Sequence, residues 1–201
     1  HGTSRRQRQM CIRDRGDTVT ESTRTFNFKP FKLDEHLERL YKSFKLTRID
    51  PQMTIEEMKK VSLELLEINK DNYKANEDCW LVHNISRGHS ITGGNPALQV
   101  SKPTVMIYTQ PMNLVLWAPF YTKGCHAVTP PTRMVPSQSL DARIKNRSRL
   151  FYTLAEIEAK LVDPDAQSVI LDIHGNVAEN KGGNIFMLSL IHISEPTRLR
   201  T

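Results

Sequence analysis

The chain has 201 residues, 38% of them hydrophobic and 25% charged, with a net charge of +6. This composition is too apolar for wholesale disorder and fits one domain or two small ones. No stretch approaches the roughly 20 apolar residues of a membrane helix, and no apolar segment follows the basic start as in a secretory signal. Three cysteines without a C-x-x-C pair exclude a disulfide framework, and no histidine has H-E-x-x-H spacing. We expect a cytoplasmic protein without a membrane segment or a metal site.

The positive charge is concentrated at the two ends of the chain. Residues 1–15 hold five arginines against one aspartate, and residues 188–201 hold two arginines against one glutamate. The body, residues 16–187, therefore carries only +1. Since a basic patch is the electrostatic mark of nucleic-acid binding and the body lacks one, we expect no nucleic-acid partner.

Both ends resemble sequencing-adapter DNA read as protein. Leu188–Arg198 is similar to the translation of a transposase sequencing adapter, and Met10–Arg15 is similar to the translation of its reverse complement. We expect residues 1–15 and 188–201 to be adapter-derived, and 16–187 to be an internal piece of a longer gene. Both ends are excluded from the fold prediction, as an expression tag would be.

The body opens with a predicted hairpin and a helix. Residues 25–31 favour a short strand pair closed at Asn27. From Asp34, a plausible N-cap, the pattern becomes helical. The apolar side chains of this helix recur at three- and four-residue intervals: Leu37, Leu40, Tyr41 and Phe44.

A second helix follows the break at Pro51. Its start is marked by a capping box from Thr54 to Glu57, and it is predicted to end near Asn69. One apolar stripe runs along it: Ile55, Met58, Val61, Leu65 and Ile68.

Strands dominate the rest of the body. We predict strands at 79–85, 104–108 and 168–173, an extended segment at 128–135, a tight turn at 174–176 and a further strand from residue 184. A helix between them carries an apolar stripe: Leu150, Leu154, Ile157 and Leu161. Helices and strands in mixed order predict an α+β fold. A boundary near residue 120 separates a small N-terminal domain, 16–119, from a partial larger domain, 120–187.

Three segments carry a family resemblance. They read FKLDEHLERL (31–40), DARIKNRSRLFYTLAEIEA (141–159) and LDIHGNVAENKGGNIF (171–186). Their order and spacing resemble the fold-type IV (class IV) pyridoxal-phosphate enzymes, which include branched-chain and D-amino-acid aminotransferases, (R)-amine transaminases and aminodeoxychorismate lyase. The resemblance covers 16–187. It implies a small α/β N-terminal domain followed by a pseudo-barrel domain, here truncated, with pyridoxal 5'-phosphate as cofactor and a homodimer as assembly.

The resemblance assigns the central chemistry to two residues. Lys145 is implied to form the Schiff base with the cofactor aldehyde and to shuttle the substrate proton, which needs an amine that is neutral part of the time. Like charge on neighbouring arginines is expected to lower the pKa of Lys145: Arg143, Arg147 and Arg149. Glu179 is implied to meet the pyridine nitrogen and keep the ring protonated.

Further residues are implied to bind the cofactor phosphate and the substrate. Arg39 is the expected phosphate ligand, a task that suits a guanidinium. Gly182 and Gly183 fall where the family loop approaches the phosphate, and glycine permits a close approach. Arg87, followed by a glycine, resembles an arginine that some D-amino-acid aminotransferases place near the substrate carboxylate.

The chain departs from the family pattern at the tyrosine that bonds the ring hydroxyl oxygen of the cofactor. Leu150 and Phe26 occupy the two positions where family members carry it, and Lys181 stands where a small residue is usual. The resemblance implies a transaminase acting on an amino acid, branched-chain or related aliphatic, and a 2-oxo acid. The alternatives are a D-amino-acid or (R)-amine transaminase, and a lyase of the aminodeoxychorismate type that eliminates pyruvate.

Overall fold

The structure, a computed structural model, describes residues 16–74, 77–88 and 102–188. Residues 1–15 and 189–201, for which the sequence predicts an adapter origin, lie outside the described residues. Among the helices that are described, none is long and apolar enough to cross a membrane.

The described residues form two units. The first consists of the chain up to Lys123 together with Ser137–Arg149, and the second of Gly124–Pro136 together with the chain from Leu150 onward. The segment that carries Lys145 therefore packs with the first unit. The domain limits 16–119 and 120–187 stay a prediction about the complete protein.

An antiparallel four-stranded sheet, in the order β2-β1-β3-β4, forms the base of the first unit. Its strands are β1 (Thr18–Phe26), β2 (Lys29–Pro30), β3 (Cys79–Ser86) and β4 (Thr104–Pro111). The predicted strands at 79–85 and 104–108 are confirmed. The first strand begins seven residues before the predicted hairpin, because its polar, threonine-rich half pairs along its length with β3.

A two-residue turn closes the predicted hairpin. Asn27 and Phe28 both have positive φ, 49° and 61°, as a type I′ turn requires. Phe28 tolerates this conformation because its N–H donates to the Asp78 carboxylate at 3.1 Å and its ring packs on Tyr73.

Two helices, α1 (Leu33–Thr47) and α2 (Ile55–Asn69), lie on this sheet. The capping box of α2 is confirmed: Thr54 and Glu57 exchange both hydrogen bonds. The predicted N-cap of α1 is wrong, since Lys32 holds that position in a left-handed conformation. Asp34 lies in the first turn instead, where its carboxylate pairs with Lys59 at 2.6 Å.

The core of the first unit forms between these helices and the sheet. The α1 stripe points inward as predicted, with Leu37, Leu40 and Phe44 buried. The predicted α2 stripe is partly wrong, because Ile68 is 77% exposed and Val61 39%. Met58, Ser62 and Leu66 form the buried face. Strand residues complete the cluster: Val19, Leu81 and Ile85.

Two short helical segments end the first part of the chain, a 3-10 turn at Leu114–Leu116 and α3 (Phe120–Lys123). The second unit follows with β5 (Ala127–Val128), α4 (Leu150–Val162), β6 (Gln167–Leu171) and β7 (Val177–Asn180). Its sheet has the order β5-β6-β7, with β5 parallel and β7 antiparallel to β6. The predicted turn at 174–176 is confirmed, with Gly175 at φ 89°.

The predicted extended segment at 128–135 contributes the end of β5 and one bridge, from Arg133 to Leu171. Two other predictions for the second unit are wrong. No strand forms at 184–188, the last described residues. The α4 stripe also faces outward: Leu161 is 82% exposed. The helix instead buries Tyr152, Ala155 and Ala159, since small side chains let it approach the sheet closely.

Candidate functional site

Lys145 is fixed through its backbone to two elements of the first unit. Its carbonyl accepts a hydrogen bond from the N–H of Thr20 on β1 at 2.8 Å. Its own N–H donates to Ser43 Oγ of α1 at 3.3 Å. Arg147 continues the contact by donating its N–H to Thr18 O at 3.1 Å. The predicted catalytic lysine is thus held between a strand and a helix.

The pKa of Lys145 lies below its ordinary value, chiefly because the side chain is buried. The negative charge of Glu21 raises the lysine pKa and so opposes this shift. Three guanidinium groups lower it further: Arg39, Arg149 and Arg147. The expected influence of Arg147 and Arg149 is confirmed. Arg143 forms an ion pair with Asp141 at 2.7 Å instead. Burial and like charge together favour the neutral amine.

Glu21, on β1, is the main residue of this region that the sequence did not reveal. Its side chain is fully buried. Both carboxylate oxygens accept from Arg39, Oε2 from Nε at 2.7 Å and Oε1 from Nη2 at 2.6 Å. Oε1 also contacts His36 Nδ1 at 3.1 Å and accepts from the Ser22 N–H at 2.9 Å.

The protonation state of Glu21 follows from these contacts. Burial by itself raises the pKa of the carboxyl, but the hydrogen bonds with His36, Arg39 and the Ser22 N–H, and the charge of Lys145, lower it to about 2. The group is therefore a carboxylate at neutral pH. His36 and Arg39 converge on it because residues three apart share one helix face.

Arg39 keeps capacity for a further anion. Its side chain is half exposed, and the contacts with Glu21 use Nε and Nη2. Nη1 takes no part in this pair. A guanidinium held in this way presents a fixed pair of N–H groups, which suits a phosphate.

Arg87 makes four hydrogen bonds within the first unit. Nε and Nη2 donate to the carboxylate of Asp17 at 2.9 and 3.1 Å. Nη1 and Nη2 donate to the carbonyls of Arg48 and Thr47 at 2.7 and 2.8 Å, at the C-terminus of α1. These bonds occupy four of the five donors of a guanidinium. The predicted contact of Arg87 with a substrate carboxylate stays a prediction.

Glu179 lies on β7 of the second unit and accepts a hydrogen bond from the hydroxyl of Tyr152. Two residues further, Lys181 forms an ion pair with Glu156. Both partners belong to α4. The sequence analysis did not predict a role for Tyr152, because its distance along the chain from Lys145 does not match that of the family's tyrosine.

Gly182 and Gly183 follow β7. In the described part of the chain, a Cβ added at either glycine meets no other atom within 4 Å. The Gly182 N–H donates to Asn180 Oδ1 at 3.1 Å. Packing inside the unit therefore does not explain the two glycines, which is compatible with the predicted approach of a phosphate.

Each unit, taken by itself, carries groups of a kind that a phosphorylated pyridine cofactor needs. The first unit supplies a half-buried amine with a lowered pKa, Lys145, and a half-exposed guanidinium, Arg39. The second supplies a carboxylate, Glu179, of the kind that pairs with a protonated ring nitrogen. An amine, a guanidinium and a carboxylate are the groups that an aldehyde, a phosphate and a pyridinium need.

Comparison with known proteins decides the family. The model of the amino-transferase class IV family matches residues 18–189. The chain belongs to the class IV aminotransferases. The match includes every candidate residue from Glu21 to Gly183, and it confirms the resemblance of the three sequence segments.

Individual class IV relatives agree with this result. A putative branched-chain-amino-acid aminotransferase of Methanocaldococcus jannaschii is 34% identical, over 86% of this chain and 56% of its own length. A branched-chain-amino-acid aminotransferase-like protein of Arabidopsis thaliana is 31% identical, over 86% of this chain and 30% of its own. This chain thus spans about half, or less, of the length of these relatives.

Solved structures show the same class IV fold. An aminotransferase from Brucella abortus bound to PLP matches 87% of this chain and 59% of its own, with a TM-score of 0.72 and 18% identity. A branched-chain aminotransferase from Thermoproteus uzoniensis with norvaline matches 84% and 55%, with a TM-score of 0.67 and 23% identity. The predicted α+β fold, with a small N-terminal α/β domain and part of a pseudo-barrel domain, is confirmed.

Proposed function

We propose that the complete protein is a pyridoxal-phosphate-dependent transaminase that moves an amino group between an amino acid and a 2-oxo acid. The observation that carries the proposal is the state of Lys145. Its side chain is half-buried, its pKa is lowered, and Arg39 lies in the same electrostatic network around Glu21. An ordinary surface lysine has neither burial nor cationic neighbours of this kind.

Each residue has a stated task in this proposal. When bound, pyridoxal phosphate supplies the electron sink that stabilises negative charge at the substrate Cα. Lys145 Nζ binds the cofactor and, as a partly neutral amine, accepts and returns the Cα proton. Arg39 binds the phosphate through the guanidinium edge that Glu21 leaves open. Glu179 holds a proton on the ring nitrogen, and Gly182 and Gly183 give the phosphate room.

We propose a branched-chain or related aliphatic amino acid as donor. The support is the name shared by the curated relatives, which are called branched-chain aminotransferases or like them. The contacts of Arg87 bear on the choice of donor. Four of its N–H groups are already bonded within the first unit. This favours an amino-donor substrate other than the D-amino acids, which the resemblance of Arg87 suggested.

Assembly and location are proposed on the same basis. Family members are expected to be homodimers, and the complete protein is proposed to be a cytoplasmic homodimer that binds small molecules only. Light scattering of the full-length protein tests the assembly: a mass of one chain would contradict it.

The test of function uses the full-length protein and a matched pair of lysine variants. Wild type with added pyridoxal phosphate is expected to show a visible absorption band and to convert leucine, isoleucine or valine with a 2-oxo acid acceptor. Lys145→Ala should lose both the band and the turnover. Lys42→Ala, at a surface lysine paired with Glu38, should keep both. An intact Lys145→Ala protein that still transaminates would overturn the proposal.

The same assay separates the alternative activities. D-alanine and an (R)-amine are offered as amino donors. Aminodeoxychorismate is offered separately with no acceptor present, and the pyruvate that it releases is measured. Turnover of a branched-chain L-amino acid supports the proposed substrate. Pyruvate release without amino transfer indicates a lyase instead, with Lys145 still required.

A further inference from the structure

We infer that Tyr152 is the positioning residue of Glu179: its hydroxyl holds the carboxylate in the orientation that meets the ring nitrogen of the cofactor. This inference rests on the proposed function. It assigns a task to a tyrosine that lies outside the two positions where the family pattern places one.

The geometry of the second unit links the two residues firmly. Tyr152 Oη donates to Glu179 Oε1, and one helical turn along α4 Glu156 pairs with Lys181. Residues 152 and 156 share a helix face, and Lys181 directly follows β7, the strand that carries Glu179. Two matched side-chain contacts therefore join α4 to the segment that carries Glu179.

The phenol itself is held by packing. Tyr152 is only 5% exposed and forms a core cluster with Ala155 and Ile170. Its ring lies 4.1 Å from that of Phe151. A buried ring with two torsions has little freedom, so the core of the unit sets where the hydroxyl stands. The position of the Glu179 carboxylate then follows from the hydroxyl.

Glu179 needs such support because of its place in the sheet. Among the described residues, β7 pairs with β6 alone, and the register is irregular between Ile170 and Leu171, opposite Glu179. A glutamate side chain has three rotatable torsions, so the position of its carboxylate depends on what the carboxylate contacts. A carboxylate also has about four lone-pair sites, so the bond from Tyr152 to Oε1 does not use up its capacity to accept from a ring N–H.

A purely structural role for Tyr152 makes a different prediction. If the hydroxyl only stabilises the unit, its removal affects every ligand alike or affects stability alone. If it positions Glu179, its removal affects only ligands that carry a ring nitrogen. The two probes are therefore pyridoxamine 5'-phosphate and its carbocyclic analogue, in which C–H replaces the ring nitrogen.

The experiment measures binding of both probes to cofactor-free full-length protein by titration calorimetry. Tyr152→Phe keeps the ring and removes the donor, and is expected to weaken pyridoxamine phosphate about tenfold, the scale of a hydrogen bond to a charged group. Binding of the carbocyclic analogue should not change. Tyr121→Phe, the same change at an exposed tyrosine, should affect neither probe.

A double-mutant comparison shows whether the effect passes through Glu179. In a Glu179→Gln background, Tyr152→Phe should have no further effect on pyridoxamine phosphate. Equal weakening of both probes, no weakening of either, or a Tyr152→Phe protein that does not fold would overturn the inference. Wild-type protein that binds neither probe would overturn the proposed function and the inference with it.

Discussion

Arg39 donates two hydrogen bonds to the fully buried carboxylate of Glu21, at 2.7 and 2.6 Å. The pair joins α1 to β1. It also links the expected phosphate ligand to Lys145, since the charge of Glu21 raises the pKa of the lysine and that of Arg39 lowers it. One carboxylate thereby orients the guanidinium and limits how far the lysine pKa falls.

Replacing this carboxylate should be costly. Glu21→Gln keeps the shape but removes the charge, so the half-exposed Arg39 guanidinium loses its charged hydrogen-bond partner. We expect the free energy of unfolding at neutral pH to fall by about 2 kcal/mol, measured by urea denaturation of the full-length protein. Asp34→Asn removes a surface pair with Lys59 and should cost less than about 1 kcal/mol. Equal losses in the two variants would contradict the central role of Glu21.

His83 should make the stability depend on pH in a defined window. The side chain is fully buried, its Nε2 contacts Ser62 Oγ at 2.8 Å, and Nδ1 has no hydrogen-bond partner among the described residues. Burial lowers its pKa from 6.5 to about 4, with Glu21 opposing and His36 adding to the shift. Between these values the unfolded chain binds a proton that the folded chain does not.

Stability should therefore be constant with respect to His83 above pH 6.5 and decrease as the pH falls to about 4, by up to about 3 kcal/mol. Urea midpoints across this range measure the slope. His83→Gln has no ionisable group and should flatten it, whereas His174→Gln, on an exposed turn, should not. A slope that persists unchanged in His83→Gln would assign the pH dependence to another group. The contribution of Glu21 to stability is lost at lower pH, between pH 4.5 and about 2, where its carboxylate becomes protonated.

Local patterns predicted those elements that depend on neighbouring residues alone. The capping box at Thr54 and the hairpin turn at Asn27 are examples, since both are set by contacts within a few residues. The spacing of apolar residues also predicted correctly which face of α1 is buried, because that helix has a single apolar face. In α4, the larger apolar side chains lie outward and Ala155 and Ala159 inward, and periodicity does not reveal which of two apolar faces packs on the sheet.

The candidate site shows the same division. Lys145 and Arg39 were predicted as site residues because their segments carry a recognisable family pattern. Glu21 was missed because a lone glutamate in a threonine-rich strand is typical of a solvated position. Its burial depends on Arg39, which lies 18 residues further along and reaches it only after α1 packs on β1. Tyr152 was missed for a similar reason: its partner Glu179 lies 27 residues away.

Arg87 offers a test that separates a structural from a substrate-binding role. Its guanidinium joins Asp17 to the last carbonyls of α1, and lysine cannot reproduce this geometry. Arg87→Lys is expected to lower the free energy of unfolding by about 2 kcal/mol and to leave KM for the amino donor unchanged. A large rise in KM with unchanged stability would show that Arg87 binds the substrate carboxylate instead.

Glu179 should govern rate more than cofactor retention. In Glu179→Gln the amide no longer favours a protonated ring, so the cofactor loses part of its power as an electron sink. Lys145 and Arg39 still hold the aldehyde and phosphate ends. We expect kcat of the full-length protein to fall by about a hundredfold or more. The content of lysine-bound pyridoxal phosphate, measured by absorption at saturating cofactor, should be unchanged. Glu64→Gln, at an exposed glutamate paired with Lys60, is the matched control and should leave kcat unchanged. A Glu179→Gln enzyme with normal kcat would place the ring-nitrogen partner elsewhere in the protein.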